Sequence, residues 1–280
     1  MGAAGINVKL HSMGVPYGQS YNGDSSNQTN NNASQTDTQS DDRGNPHYPP
    51  DPNYRQFDDY NDTRKWMMNP ENTSSSTWES ELSYDELSAV RSYTGSSYTS
   101  MNTALYTKEW DEIPQSMREK IANAHEALNK YEVKKGIEIT RQCDFRILGF
   151  DQGYKPTIKQ LKQLFKDSGT YFQNDGFLSF AVNKRGVAIG GGSGLVLHLR
   201  VPPSKGAGAY VNPISMHSGQ TENEFLVNTN AVLRFDPDSA FVDSSGRVHL
   251  TAYHEGRARM QAIDSKNTSA FAKPKKKKST

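Results

Sequence analysis

An α+β fold is predicted, with N-terminal helices packed on a largely antiparallel β core. Three observations carry it. Apolar residues recur at helical spacing between about residues 83 and 129. From residue 137 onward, short alternating or continuous apolar runs dominate, and only one further helical pattern interrupts them.

Residues 1–80 come first and look different. Stretches such as NGDSSNQTNNNASQTDTQSDD and NPHYPPDPN offer too little apolar surface to offset the entropy of ordering a backbone, so a disordered polar arm is expected over 1–80. The aromatics scattered through it (Tyr48, Tyr54, Phe57, Tyr60, Trp66, Trp78) follow neither helical nor alternating spacing.

Folded structure is expected from about residue 81. SYDE at 83–86 is a capping-box pattern, Ser83 as N-cap and Glu86 at N3, with Leu82 and Leu87 placed as a hydrophobic staple and Gly95 as the stop. A second helix fits 97–106, with Met101 and Leu105 on one face. A third fits 114–129, opened by Pro114 and carrying Met117, Ile121, Ala124 and Leu128. The last fits 158–168, where Thr157 and Gln160 form another capping box ahead of Leu161, Leu164 and Phe165.

Strands occupy the remainder. IEITRQ alternates Ile137 and Ile139 and ends at Arg141; GFLSFAV at 176–182, LVLHLRV at 195–201, EFLVN at 224–228, AVLRFD at 231–236 and RVHLTAY at 247–253 follow. Residues 81–263 form one expected domain, and 264–280 a basic tail ending KPKKKKST.

Composition bounds the chemistry. A hydrophobic fraction of 34% fits a chain of which part does not pack, and a net charge of +1 argues against a polyanion-coating protein. The single cysteine, Cys143, can form neither an internal disulfide nor a zinc site, and burial is its expected fate. No apolar run reaches the ~20 residues of a membrane span. Residues 1–15 lack the pattern of a secretory signal, so action in the producing cell, delivery by a phage particle or export by a dedicated secretion system are the expected routes. GVAIGGGSG at 186–194 lacks the P-loop lysine and reads as a linker between strands, while His249, His254 and Glu255 lack HExxH spacing, so no metal is expected.

The residues that carry chemistry lie on three different strands. Arg141 ends the first, Ser179 lies within the second, and Glu222 and Glu224 open a later one. Singly, each has a plain structural reading: a surface ion pair for the arginine, a backbone-bonded hydroxyl for the serine, a solvated strand entry for the two glutamates. On a regular strand Glu222 and Glu224 would share a face, a repulsive arrangement unless a cation comes between them.

Together and in this order, the four residues resemble the arginine, serine, glutamate class of mono-ADP-ribosyltransferases, which includes the clostridial actin-modifying toxins. The similarity spans about residues 83–255. YTGSSYTSMNTALY at 93–106 looks like that family's N-terminal helix motif, ALNKYEVKKGIEITRQ at 127–142 like its helix and arginine-bearing strand, and DGFLSFAV at 175–182 like its Ser-Thr-Ser segment, with Phe180 and Ala181 replacing the last two residues.

The resemblance implies NAD as substrate and an ADP-ribosyltransferase-like fold. It implies Arg141 on the pyrophosphate, Glu224 against the ribose as the bond to nicotinamide breaks, Ser179 holding Glu224, and Glu222 on the guanidinium of an acceptor arginine. A glutamate at position 222 implies a target protein modified on arginine, and PISMHSGQT at 213–221 corresponds to the target-recognising loop. The alternatives are a degenerate NAD-binding or virion-associated interaction protein, a pure NAD glycohydrolase, and a nucleic-acid-directed enzyme, with Lys275–Lys278 as the feature that favours a nucleic-acid partner.

Overall fold

The computed structural model describes residues 51–151, 153–183, 194–216 and 223–258, together with the backbone of a two-residue strand, β1 (His11–Ser12). Helices α1 (Tyr60–Met67), α2 (Ser75–Trp78), α3 (Tyr84–Ser92), α4 (Tyr98–Thr107) and α5 (Gln115–Lys130) precede β2 (Glu132–Val133) and β3 (Ile137–Cys143). Helix α6 (Ile158–Ser168) leads into β4 (Tyr171–Asn174), β5 (Leu178–Ala181), β6 (Leu195–Val201), β7 (Ser204–Lys205), β8 (Gly208–Tyr210), β9 (Glu224–Val227), β10 (Ala231–Val242) and β11 (Val248–Arg257). Nine strands form one sheet in the order β1-β4-β10-β11-β6-β3-β5-β9-β8, antiparallel except where β1 meets β4 and β11 meets β6; β2 and β7 pair separately. The expected α+β architecture is observed.

Both capping boxes form. Ser83 Oγ accepts from the Glu86 amide at 3.2 Å while Glu86 Oε2 accepts from the Ser83 amide at 2.7 Å, and the same carboxylate takes Lys130 Nζ of α5 at 2.7 Å. The start of α3 is thereby tied to the end of α5. Thr157 and Gln160 make the second box, and α6 buries Leu161 and Phe165, the latter stacked on Phe235 and edge-on to Phe172. α3 ends at Ser92, and Gly95 supplies the expected break as a non-helical kink. The chain passes through one wide turn, Tyr93–Ser97, with Gly95 at φ −98° and ψ −110°, and continues directly into α4.

The boundary expected at residue 80 is corrected: residues 51–80 are folded. Trp78 is buried and donates from Nε1 to the Ala127 carbonyl at 2.8 Å, and its ring meets Tyr131 edge-on. Phe57 and Met67 are buried too, and the backbone of Arg55 is bonded on both sides of Ile137, accepting from the Glu138 amide and donating to the Gly136 carbonyl. Polar on average, the segment has no core of its own; its few large side chains dock into the core that the later elements build. Truncating a fully buried aromatic such as Trp78 costs roughly 3–5 kcal/mol, which offsets the backbone ordering of only about two to four residues, so the segment depends on several such anchors and on its backbone bonds to the later elements. Residues 1–50 apart from β1, residues 259–280 and the Lys275–Lys278 run lie outside the described residues, as does nearly all of the 186–194 glycine cluster.

Across β3, β6, β11 and β10 runs a buried polar chain. Glu138 accepts from Arg200 Nε at 3.0 Å and Gln56 Nε2 at 2.8 Å and lies 3.2 Å from His198 Nδ1. His198 Nε2 and His249 Nδ1 are 2.8 Å apart, and His249 Nε2 lies 3.1 Å from Asp243, which also binds Arg247. Burial, helped by His198, lowers His249 to about 4, and burial with Arg257 nearby does the same to His254. Although burial opposes it, bonds from His198, Arg200 and Gln56 hold the Glu138 carboxyl below its usual range.

These directions set a stability profile. Between about pH 6.5 and about pH 4 the unfolded chain protonates its histidines while His249 and His254 stay neutral in the fold, so stability is full above that window and falls as pH drops through it. Glu138 and Asp243 add a further loss below about pH 4.5 as they protonate. The melting temperature is expected to fall from about pH 6.5 to about pH 4, and a His249→Gln, His254→Gln double variant is expected to show a flatter decline over that range. Equal slopes for the two proteins would reject this assignment.

Candidate active site

Three adjacent strands, β3, β5 and β9, bring together residues that are far apart in sequence. Thr140 pairs with Ala181 and Ala181 with Glu224, forming one row across the sheet; Ser179, two residues from Ala181, stands on the same face, diagonal to Glu224. Arg141, Ser179 and Glu224 are each less than a tenth exposed. Arg141 Nη1 donates to the Ser179 carbonyl, which ties the guanidinium to β5. β3 runs two residues past Arg141, so the arginine lies inside its strand and not at the end. Cys143 beyond it is buried and its thiol is pushed up to about 12, so it is inert.

At the centre stands Tyr93, at the C-cap of α3. Its hydroxyl donates to the Phe177 carbonyl at 3.3 Å and accepts from Asn102 Nδ2 at 3.1 Å. Burial pushes the phenol above its ordinary range and the Glu224 carboxylate adds to this, while hydrogen bonds from Asn102 and Ser179 and the charge of Arg141 pull it back. One neutral phenol therefore senses all three strand residues. Sequence reasoning placed Tyr93 and Asn102 in a motif without giving either a role; what marked them was a tyrosine and an asparagine nine positions apart across a glycine-containing turn.

Asn102, on α4, acts as a clamp. Its Nδ2 also donates to the Phe177 carbonyl at 3.2 Å, and its Oδ1 accepts from the Phe177 amide at 2.9 Å. The chain two residues before Ser179 is thus gripped by both of its polar groups. Gly176 makes the grip possible: a Cβ there would lie 2.8 Å from Asn102 Oδ1 and from the Tyr106 ring and hydroxyl. Tyr106 in turn donates to Asn174 at 2.9 Å, and Lys108 pairs with buried Asp175 at 2.9 Å.

Glu222 lies outside the described residues. The reading that set it beside Glu224 falls on that residue; among the described residues β9 begins at Glu224, and Asn223 before it has a left-handed φ of 48°. Regular alternation does not extend back through such a residue. Asn223 is fully buried, accepting from the Tyr210 hydroxyl at 2.5 Å and donating to the Tyr60 carbonyl at 3.4 Å, so the entry to β9 is fixed by side-chain bonds. Of the loop expected at 213–221, residues up to Met216 are described.

Phe180, where a threonine was expected from the resemblance, is fully buried opposite Phe225 and belongs to the core. Ala181, in place of the second serine, sits directly across from Glu224 and offers no hydroxyl.

Comparison with known proteins agrees with this geometry. No curated protein matches the chain. Among solved structures, Plx2a, an ADP-ribosyltransferase toxin from Paenibacillus larvae, is similar at 23% identity with a TM-score of 0.58, over 71% of this chain and 98% of that one. The Clostridium limosum C3 exoenzyme aligns at 18% identity and a TM-score of 0.59 over 72% and 98% of the two chains. The enzymatic component C2-I of the C2 toxin from Clostridium botulinum aligns at 20% and 0.55 over 74% of this chain and 50% of that one. These similarities establish the fold. The family model for ADP-ribosyltransferase exoenzymes matches residues 69–253, more than half of the sequence, and the chain therefore belongs to the ADP-ribosyltransferase exoenzyme family.

Proposed function

We propose that the chain is an NAD-dependent mono-ADP-ribosyltransferase that modifies an arginine of a target protein and releases nicotinamide. The observation that supports the reading is that the adjacent strands β3, β5 and β9 carry Arg141, Ser179 and Glu224, with the Arg141 guanidinium donating to the Ser179 carbonyl. NAD as the donor is supported by two structural relatives, C3stau2 from S. aureus, solved with NAD, and BECa of C. perfringens, solved with NADH.

The residues suit the reaction. Arg141, always protonated, presents donors to the pyrophosphate, and its bond to the Ser179 carbonyl fixes the guanidinium before substrate arrives. When the bond from C1′ to the nicotinamide nitrogen breaks, both electrons leave with nicotinamide and the ribose gains oxocarbenium character. The Glu224 carboxylate, aimed at that developing charge from a buried position, stabilises it more than it stabilises the ground state. Ser179, diagonal to Glu224 on the same face of the sheet, helps to hold the face on which the carboxylate stands. An acceptor guanidinium nitrogen then bonds to C1′ and gives up a proton to Glu222, the carboxylate whose presence at this position supports arginine as the acceptor.

Glu224→Gln keeps size and removes charge, so nicotinamide release and transfer are both expected to fall by about 10²–10³-fold. Glu222→Gln is expected to leave nicotinamide release within about threefold of wild type and to lose transfer to agmatine; unimpaired agmatine transfer by that variant would remove the arginine assignment. Asn102→Ala strands the amide of Phe177 and leaves its carbonyl to the Tyr93 hydroxyl alone, and a loss of about 2 kcal/mol in denaturant unfolding is expected together with slower nicotinamide release. Stability within about 0.5 kcal/mol of wild type would deny the clamp its role.

A further inference from the structure

Asn223 lies between Glu222 and Glu224 in the chain, and three elements hold it from different sides. Its Oδ1 accepts from the hydroxyl of Tyr210, the last residue of β8, and its Nδ2 donates to the carbonyl of Tyr60, the first residue of α1. Its own carbonyl accepts from the Val182 amide, just past β5, at 3.0 Å. Asn223 and Tyr210 are fully buried, and Asn212 joins the cluster by donating from Nδ2 to the Tyr60 hydroxyl at 3.3 Å.

The α1 end of the cluster is itself anchored. Phe57 is buried and pairs in parallel with Asn183, and Asp59 caps the helix by accepting from the amides of Asn61 and Asp62 at 2.8 and 2.9 Å. Tyr60 therefore presents its carbonyl from a fixed helix start, in a stretch that lies ahead of the residues 69–253 matched by the family model. A left-handed φ outside glycine is unfavourable, and a buried side-chain amide is tolerated only when it is bonded. An ordinary strand entry needs neither. Both are explained where the direction from which the chain enters the strand matters.

We propose that Asn223 is a positioning residue for the acceptor step: its bonds to Tyr210 and Tyr60 hold the left-handed turn between the two glutamates, and so set how much ADP-ribose passes to an arginine and how much to water. This role rests on the proposed arginine-directed transfer and deepens it. The two glutamates depend on Asn223 differently. Glu224 is held by the ladder, paired with Ala181 on β5 and with its carbonyl taken by the Val211 amide at 3.0 Å. Rotation about φ of Asn223 leaves those bonds in place and swings the peptide that joins it to Glu222. Cleavage to nicotinamide, which needs Glu224, is thereby insulated from Asn223, whereas removal of a proton from the acceptor guanidinium by Glu222 is not. With that carboxylate misplaced, the oxygen of water bonds to C1′ in place of the guanidinium nitrogen and loses a proton to solvent, giving free ADP-ribose.

The test measures, on the full chain with NAD, nicotinamide release without acceptor and the yield of ADP-ribosyl-agmatine at saturating agmatine. Asn223→Ala loses both side-chain bonds and disfavours the left-handed φ. It is expected to lower the ratio of agmatine transfer to nicotinamide release by at least about tenfold, while the KM for NAD and release without acceptor stay within about threefold of wild type. Tyr210→Phe removes one of the two bonds and keeps the asparagine, so a smaller drop in the ratio, about threefold, is expected. Should Asn223→Ala fail to fold, Tyr210→Phe decides alone. A ratio equal to that of wild type, or transfer and release falling by the same factor, would overturn the inference, because a residue that merely supports the fold lowers both together. Absence of agmatine transfer by wild type would instead refute the arginine reading, and the positioning role with it.

Discussion

The bond pair between Asn102 and the backbone of Phe177 is the constraint on which the active region depends. α4 and β5 belong to different layers, and nothing in the sheet ladder alone fixes where the approach to β5 sits relative to the helices. Asn102 does so by satisfying the amide and the carbonyl of one residue while its Nδ2 also reaches the Tyr93 hydroxyl. A side-chain amide is suited to this because it offers a donor and an acceptor in one plane, the pattern a peptide group requires. With the grip in place, Ser179 follows two residues later at a fixed height, and the register of β5 on β9 carries that position to Glu224.

Much of the fold was legible because local and tertiary preferences agree. The capping boxes at Ser83 and Thr157 formed as read, and the helical stripes of α5 and α6 face the core through Ile121, Ala124, Leu128, Leu161 and Phe165. The strands bearing Arg141, Ser179 and Glu224 were legible too, since apolar runs such as LSFA and EFLV bury every residue. What escaped depends on partners remote in sequence. Phe57, Met67 and Trp78 lie in a polar stretch and are buried through contacts remote in sequence, Trp78 by the Ala127 carbonyl of α5 and the Tyr131 ring, so no window of composition reveals them. β8 is three residues long and exists as a strand through pairing with β9.

The site was legible to a different depth. Residue types and their order pointed to Arg141, Ser179 and Glu224, and the register brings their strands together. The relation between positions 222 and 224 was not, because strand alternation assumes extended backbone throughout. Asn223 breaks that assumption. It is buried with both side-chain polar atoms bonded, and asparagine is among the few residues that adopt a left-handed conformation at modest cost. Tyr93 escaped for a related reason: its importance comes from the angle at which one wide turn delivers it, and a pattern of letters carries no angle.

The replacement of two hydroxyl residues by Phe180 and Ala181 follows from the same geometry. On β5 only alternate positions face the site, and Phe180 points into the core against Phe225, so its identity is a matter of packing. Position 181 does face the site, directly across from Glu224, and alanine leaves that side of the carboxylate without a hydroxyl donor from β5. The residue of β5 that stands diagonal to Glu224 on that face is Ser179. Burial keeps the nearby Tyr93 phenol protonated, and its rigid ring brings the hydroxyl to the sheet from the end of a helix. The grip of Asn102 on Tyr93 and on Phe177 is the means by which the helical layer is kept in register with the sheet.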